Sequence, residues 1–200
     1  MPHADSVYLP GYIQTKTEFW DHVHLQLQAL LEDQRYWVSN LSNAASLIYS
    51  SLSAFSKYFG DSERAVNWAG FYVRGDLFPR PRICKESPLP DDKLLLGPFC
   101  GKPACQFIPV APGKERGVCS AAYLKGETLL VPDVEAYPGH IACDGETKSE
   151  IVCPLLLEHE GSTMVLGVLD LDCLALNGFD EEDKAGLEKI AKLVVNSSDW

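Results

Sequence analysis

The chain has 200 residues, 46% of them apolar and 22% charged, the composition of a folded globular protein; this predicts one domain across residues 1–200 with a sizeable core. Its formal charge of -11 at pH 7 argues against nucleic acid and anionic membrane as partners, since both reward a positive surface. A neutral or cationic small ligand suits it better.

Residues 1–16 read as an N-terminal extension without the basic start and apolar run of a secretion signal. No window nears the roughly eighteen apolar residues of a membrane helix. The cytoplasm is therefore the expected location, with the nucleus as an alternative. Helices are expected within residues 17–60. In the first, Phe19, Val23, Leu27, Leu30 and Leu31 recur at helical spacing behind Thr17 as N-cap. The second opens on Asn40, carries Leu41, Ala44, Ala45, Ile48, Leu52 and Phe55 on one face, and stops at Gly60.

Residues 65–173 change period. The segment 65–74 is short, aromatic and β-branched, as a strand requires. Residues 75–92 are rich in proline and charge and predict a long exposed loop, after which 93–99 returns as an antiparallel partner. An extended piece follows at 102–112, then a short helix from about Gly117 to Gly126 and a strand at 128–133. Residues 150–158 and 163–172 are apolar strands joined by a hairpin containing Gly161. A helix at 180–196 begins on acids, which suit its positive end, and stripes Leu187, Ile190, Ala191 and Val194. The order predicts an α+β fold: a central antiparallel sheet with the N- and C-terminal helices on one face and the loops and short helix on the other.

Seven cysteines, an odd number without CxxC pairs, do not make a structural disulfide framework in a reducing compartment. Cys84, Cys100, Cys153 and Cys173 read as packing residues. Cys105, Cys119 and Cys143 fall in or beside irregular segments, where a scaffold places functional groups. Cys143 stands out, because Gly139, Asp144, Gly145, Glu146 and Lys148 offer it little apolar surface. Those acids oppose a free thiolate, so a ligand's ammonium group, His140 or a protonated carboxyl must offset them. A Cys105, Cys119, His140, Cys143 zinc site is disfavoured by spacings that match no ligand knuckle, and no metal is expected.

Asp170 and Asp172 alternate with Leu169 and Leu171 and so share one sheet face, where Glu150 can join them. A solvated face and an acidic wall for an α-ammonium group both fit that pattern. Trp68 and Tyr72, with Gly70 between them, share a face as well. They fit core packing, or an aromatic box for a small sulfur-bearing group.

The motifs NWAGFY, LLLGPF.G..ACQ.I, GVC..A, VPDV..YPGHIACDGETKSEIV.P and GVLDLD, from about Val66 to Asp172, resemble the free methionine-(R)-sulfoxide reductases, enzymes built on a GAF domain. The resemblance implies reduction of free L-methionine-(R)-sulfoxide with electrons from thioredoxin and no metal or organic cofactor. It implies Cys143 as nucleophile and Cys105 or Cys119 as resolving cysteine, through a sulfenic acid and an intramolecular disulfide. It also implies Trp68 and Tyr72 as pocket aromatics, and Glu150, Asp170 and Asp172 as substrate-facing acids with catalytic and binding roles. A homodimer stays open. Three features depart from the family pattern: a longer segment between Cys105 and Cys119, an extended hairpin at HEGST, and Cys100 in place of a glutamine. A GAF sensory module without turnover, and a thiol-based peroxide or redox sensor, are the alternatives.

Overall fold

The computed structural model describes residues 8–60, 62–79, 92–113, 116–141 and 144–200. Cys84, most of the proline-rich loop and Cys143 lie outside them. Helix α1 spans Lys16–Leu30 and opens with a capping box, in which Thr15 accepts from the Glu18 amide and Glu18 reaches back to the N-cap amide. The cap is thus Thr15, not the expected Thr17. Thr17 instead donates from its amide and hydroxyl to Glu182, at 3.0 and 2.6 Å.

Helix α2, Trp37–Ala54, starts three residues before the expected Asn40 and ends before Gly60. Asn40 is buried and caps nothing in its own helix. Its amide donates to the carbonyls of Gln34 and Ser197, both at 3.0 Å, and to the Ser198 hydroxyl at 3.1 Å, joining the start of α2 to the C-terminus. A polar residue facing inward for this purpose mimics a cap in sequence.

Six strands follow: β1 Val66–Arg74, β2 Lys93–Gly101, β3 Phe107–Pro109, β4 Leu129–Val131, β5 Ser149–His159 and β6 Ser162–Cys173. Helix α3, Gly117–Lys125, lies between β3 and β4, and α4, Glu181–Asn196, follows β6. The sheet order is β3-β2-β1-β6-β5-β4, and every neighbouring pair is antiparallel. The β5–β6 hairpin closes through Glu160 and Gly161, both at positive φ (49° and 78°), as a two-residue turn matched to strand twist demands.

Alternation splits the sheet into two packed faces. Ala69, Phe71, Val73, Ile151, Leu155, Leu169 and Leu171 join α1, α2 and α4 in the larger core. Trp68, Tyr72, Val152 and Val168 turn the other way and pack with Val118, Cys119 and Ala122 of α3. The expected two-faced α+β arrangement is the one observed. Helices α1 and α4 approach so closely that a Cβ on Gly186 would sit 2.1 Å from Cγ of Trp20. At the same junction Lys16, 5% exposed, meets the fully buried Asp183 at 2.5 Å. Asp183 also accepts from the Trp20 indole at 2.9 Å and from the Asp180 amide at 2.9 Å.

Candidate active site

The three acids come together because of strand register. Glu150 of β5 lies opposite Asp172 of β6, and Asp172 lies opposite Trp68 of β1. Asp170, two residues along, lies opposite Gly70 and Val152. A period of two therefore sends all three carboxyls to the face covered by α3. Two of them are buried, Glu150 at 5% and Asp170 at 6% exposed, and Asp172 is half-buried.

Above them sits Cys119, in the first turn of α3, the short helix expected from about Gly117. Its Sγ lies 3.3 Å from Oδ2 of Asp170 and 3.9 Å from Oε1 of Glu150. Burial, reinforced by mutual repulsion, pushes the Glu150, Asp170 and Asp172 carboxyls well above the ordinary carboxylate range. The Cys119 thiol is raised by burial first and by Asp170 and Glu150 next. Such burial favours the protonated form, and a protonated carboxyl is an O–H donor. Asp170 Oδ1 is buried without a hydrogen-bond partner among the described residues.

An aromatic wall stands beside the acids. Trp68 stacks on Tyr72, with centroids 5.8 Å apart, and on Phe99, 5.5 Å apart. Gly70 makes the wall possible, since a Cβ there would come within 2.3 Å of Phe99 Cβ and 2.6 Å of the Trp68 ring. The Tyr72 hydroxyl donates to the Cys105 carbonyl at 3.0 Å, which ties the segment carrying Cys105 to the cavity edge. Trp68 and Tyr72 thus belong to the smaller core and also face a cavity.

Trp68, Tyr72, Cys119, Glu150, Asp170 and Asp172 line a cavity of about 130 Å³ that also includes Cys105, Asn67, Lys102, Arg116, His140, Asp144 and Thr147. His140 Nε2 lies 3.5 Å from Glu150 Oε2, and burial lowers its pKa. Asn67 donates to Asp144 at 3.1 Å and to Thr147 at 3.0 Å. Lys102 pairs with Asp144 at 3.1 Å and with Glu146. Thus Cys105, Cys119, Glu150, Asp170, Asp172, Trp68 and Tyr72 converge, while Cys143 lies outside the described residues. Cys100 is half-buried in β2, and Cys153 and Cys173 are buried in strands, as packing residues should be.

Asn67, Lys102 and Arg116 were missed by sequence reasoning. Of the weighed zinc set only Cys119 belongs to a cluster of candidate ligands among the described residues, and its companions are Glu150 and Asp170.

The fold is that of a GAF domain. A solved structure described as that of the GAF domain superposes with a TM-score of 0.78 at 43% identity, covering 98% of this chain and 96% of its own. No protein-family model matches the chain. A free methionine-R-sulfoxide reductase of Saccharomyces cerevisiae is 44% identical over 195 residues, 98% of this chain and 93% of that protein. The X-ray structure of the free methionine-R-sulfoxide reductase from Neisseria meningitidis in complex with its substrate superposes with a TM-score of 0.73 at 34% identity, covering 95% and 94% of the two chains. The chain belongs to the free methionine-R-sulfoxide reductase family, oxidoreductases that act on sulfur groups.

Proposed function

We propose that this protein reduces free L-methionine-(R)-sulfoxide to L-methionine by thiol chemistry. The observation that carries it is the Cys119 thiol, 3.3 Å from Asp170, over buried carboxyls that favour their protonated form. A sulfoxide oxygen leaves only when protonated or hydrogen-bonded, and a neutral carboxyl beside the reacting sulfur supplies that proton. The half-buried Asp172 and the rim Asp144 suit the substrate's α-ammonium group, whose charge favours ionising the Asp172 carboxyl that burial otherwise keeps protonated. Trp68 and Tyr72 suit its S-methyl end.

In the first step Cys143 acts as nucleophile, an assignment taken from the family motif. Its sulfur attacks the sulfoxide sulfur, the S–O bond breaks, and oxygen passes to the cysteine: thiol plus sulfoxide gives sulfenic acid plus sulfide. The substrate sulfur gains two electrons and the cysteine sulfur loses two. Next the sulfenic acid condenses with the thiol of Cys119 or Cys105, forming a disulfide and releasing water. Thioredoxin then exchanges its dithiol for that disulfide and restores both thiols. These steps require no metal or organic cofactor.

The position of Cys119 favours a second assignment, in which Cys119 attacks and Cys143 resolves. A single turnover without reductant separates the two. With Cys143 as nucleophile, Cys143→Ser yields no methionine, whereas Cys119→Ser and Cys105→Ser each yield about one per enzyme. Methionine from Cys143→Ser together with none from Cys119→Ser reverses the assignment. Methionine from the double variant Cys119→Ser/Cys143→Ser sinks both.

A further inference from the structure

The cavity is polarised in a way that the reduction itself does not use. Asp144, Glu150, Asp170 and Asp172 contribute acidity, while Lys102, His140 and Arg116 are the basic residues lining it among the described residues. Two of the three are engaged. Lys102 pairs with Asp144 and Glu146, and His140 faces Glu150 from a partly buried position where its neutral form is favoured. Arg116 makes no ion pair or side-chain hydrogen bond among the described residues, and it is exposed at the cavity rim.

Arg116 is also the N-cap residue of α3, and no side chain caps that helix. The guanidinium is thus carried at the positive end of the helix dipole, one turn before Cys119. The start of α3 is held in place: the Gly117 amide donates to the Gly139 carbonyl at 3.0 Å. Inside the same cavity Asp170 Oδ1 is buried and unpartnered. A guest that satisfies it brings donors to the floor.

We propose that Arg116 binds the α-carboxylate of the amino-acid substrate and so selects free methionine sulfoxide over forms whose carboxyl is esterified, amidated or in a peptide bond. The inference deepens the proposed reduction and rests on it. A zwitterion placed with its ammonium toward Asp144 and Asp172 needs a cation for its other end. Arginine is suited to that role, because its planar fork matches a carboxylate in two parallel hydrogen bonds. A peptide-bound substrate offers only a neutral carbonyl there and leaves the guanidinium without its anion.

The test compares wild type, Arg116→Met and Arg116→Lys on L-methionine-(R)-sulfoxide and on its neutral α-amide. Arg116→Met is expected to raise KM for the free acid roughly 10- to 100-fold, the range of a charge-assisted bidentate contact, with kcat held within about threefold. Turnover of the amide should change by less than about twofold. The ratio of the two substrates therefore collapses, and Arg116→Lys recovers part of it. Equal losses on acid and amide would mark Arg116 as merely structural and overturn the inference, as would an unchanged ratio. Wild type without activity on the free acid overturns the proposed reduction and this inference with it.

Discussion

At the scale of single residues, stability and chemistry oppose one another in the acid cluster. Burial raises the folded-state pKa values of Asp170 and Glu150, whereas in the unfolded chain they titrate near about 4. The native state therefore holds more protons between those values. Stability from this source is complete below about pH 4 and is lost as pH rises toward the folded-state values. Asp170→Asn removes that loss. Urea melts should show the variant more stable than wild type at pH 8, by about 1 kcal/mol, the usual gain when a functional group under strain is replaced, with the difference shrinking toward pH 4. Turnover of the sulfoxide should fall roughly 100-fold, as expected when a general acid is lost. A variant less stable at pH 8 than at pH 4 relative to wild type would mean that the carboxyl is ionised in the folded protein. The alternation LDLD made the shared face of Asp170 and Asp172 readable from sequence. Their burial was not readable, because it depends on α3 closing over them.

At the scale of elements, the sheet face opposite the site is braced where α1 meets α4. Lys16 spans that junction to Asp180 and Asp183, and its ammonium also stands 4.9 Å from the centre of the Phe59 ring. Lys16→Met leaves Asp183 buried without its countercharge and should cost about 3–5 kcal/mol, read as a lower urea midpoint; replacing Asp183 together with Lys16 by apolar residues should recover much of it. A loss below about 1 kcal/mol for Lys16→Met would show that Trp20 and the Asp180 amide suffice for Asp183. Neither residue was legible as a partner in sequence, since 167 positions separate them and only tertiary packing joins the two helix starts. Strand identity was easier to read, because β1, β5 and β6 are short apolar runs bounded by turns and loops. Helix starts were harder, because Thr17 and Asn40 are good capping residues that spend their hydrogen bonds on other elements.

At the scale of the whole molecule, one sheet serves two tasks. Helices α1, α2 and α4 cover one face, and the other face carries the acids, aromatics and α3. No described helix is long and apolar enough to cross a membrane. The site's composition was legible before its shape was. Motifs placed Trp68, Tyr72, Glu150, Asp170 and Asp172, but the rim cations escaped notice because isolated Lys and Arg look like ordinary surface residues until a cavity gathers them. The proposed function is epimer-specific, thiol-based turnover of a free amino acid. Its most direct test is NADPH consumption through thioredoxin and thioredoxin reductase, with the separate R and S sulfur epimers of free L-methionine sulfoxide and with hydrogen peroxide. The predicted result is steady turnover of the R epimer, with methionine formed one for one with NADPH, and little with the S epimer or the peroxide. Turnover of peroxide without turnover of the R epimer, or no turnover of any of the three, would contradict it.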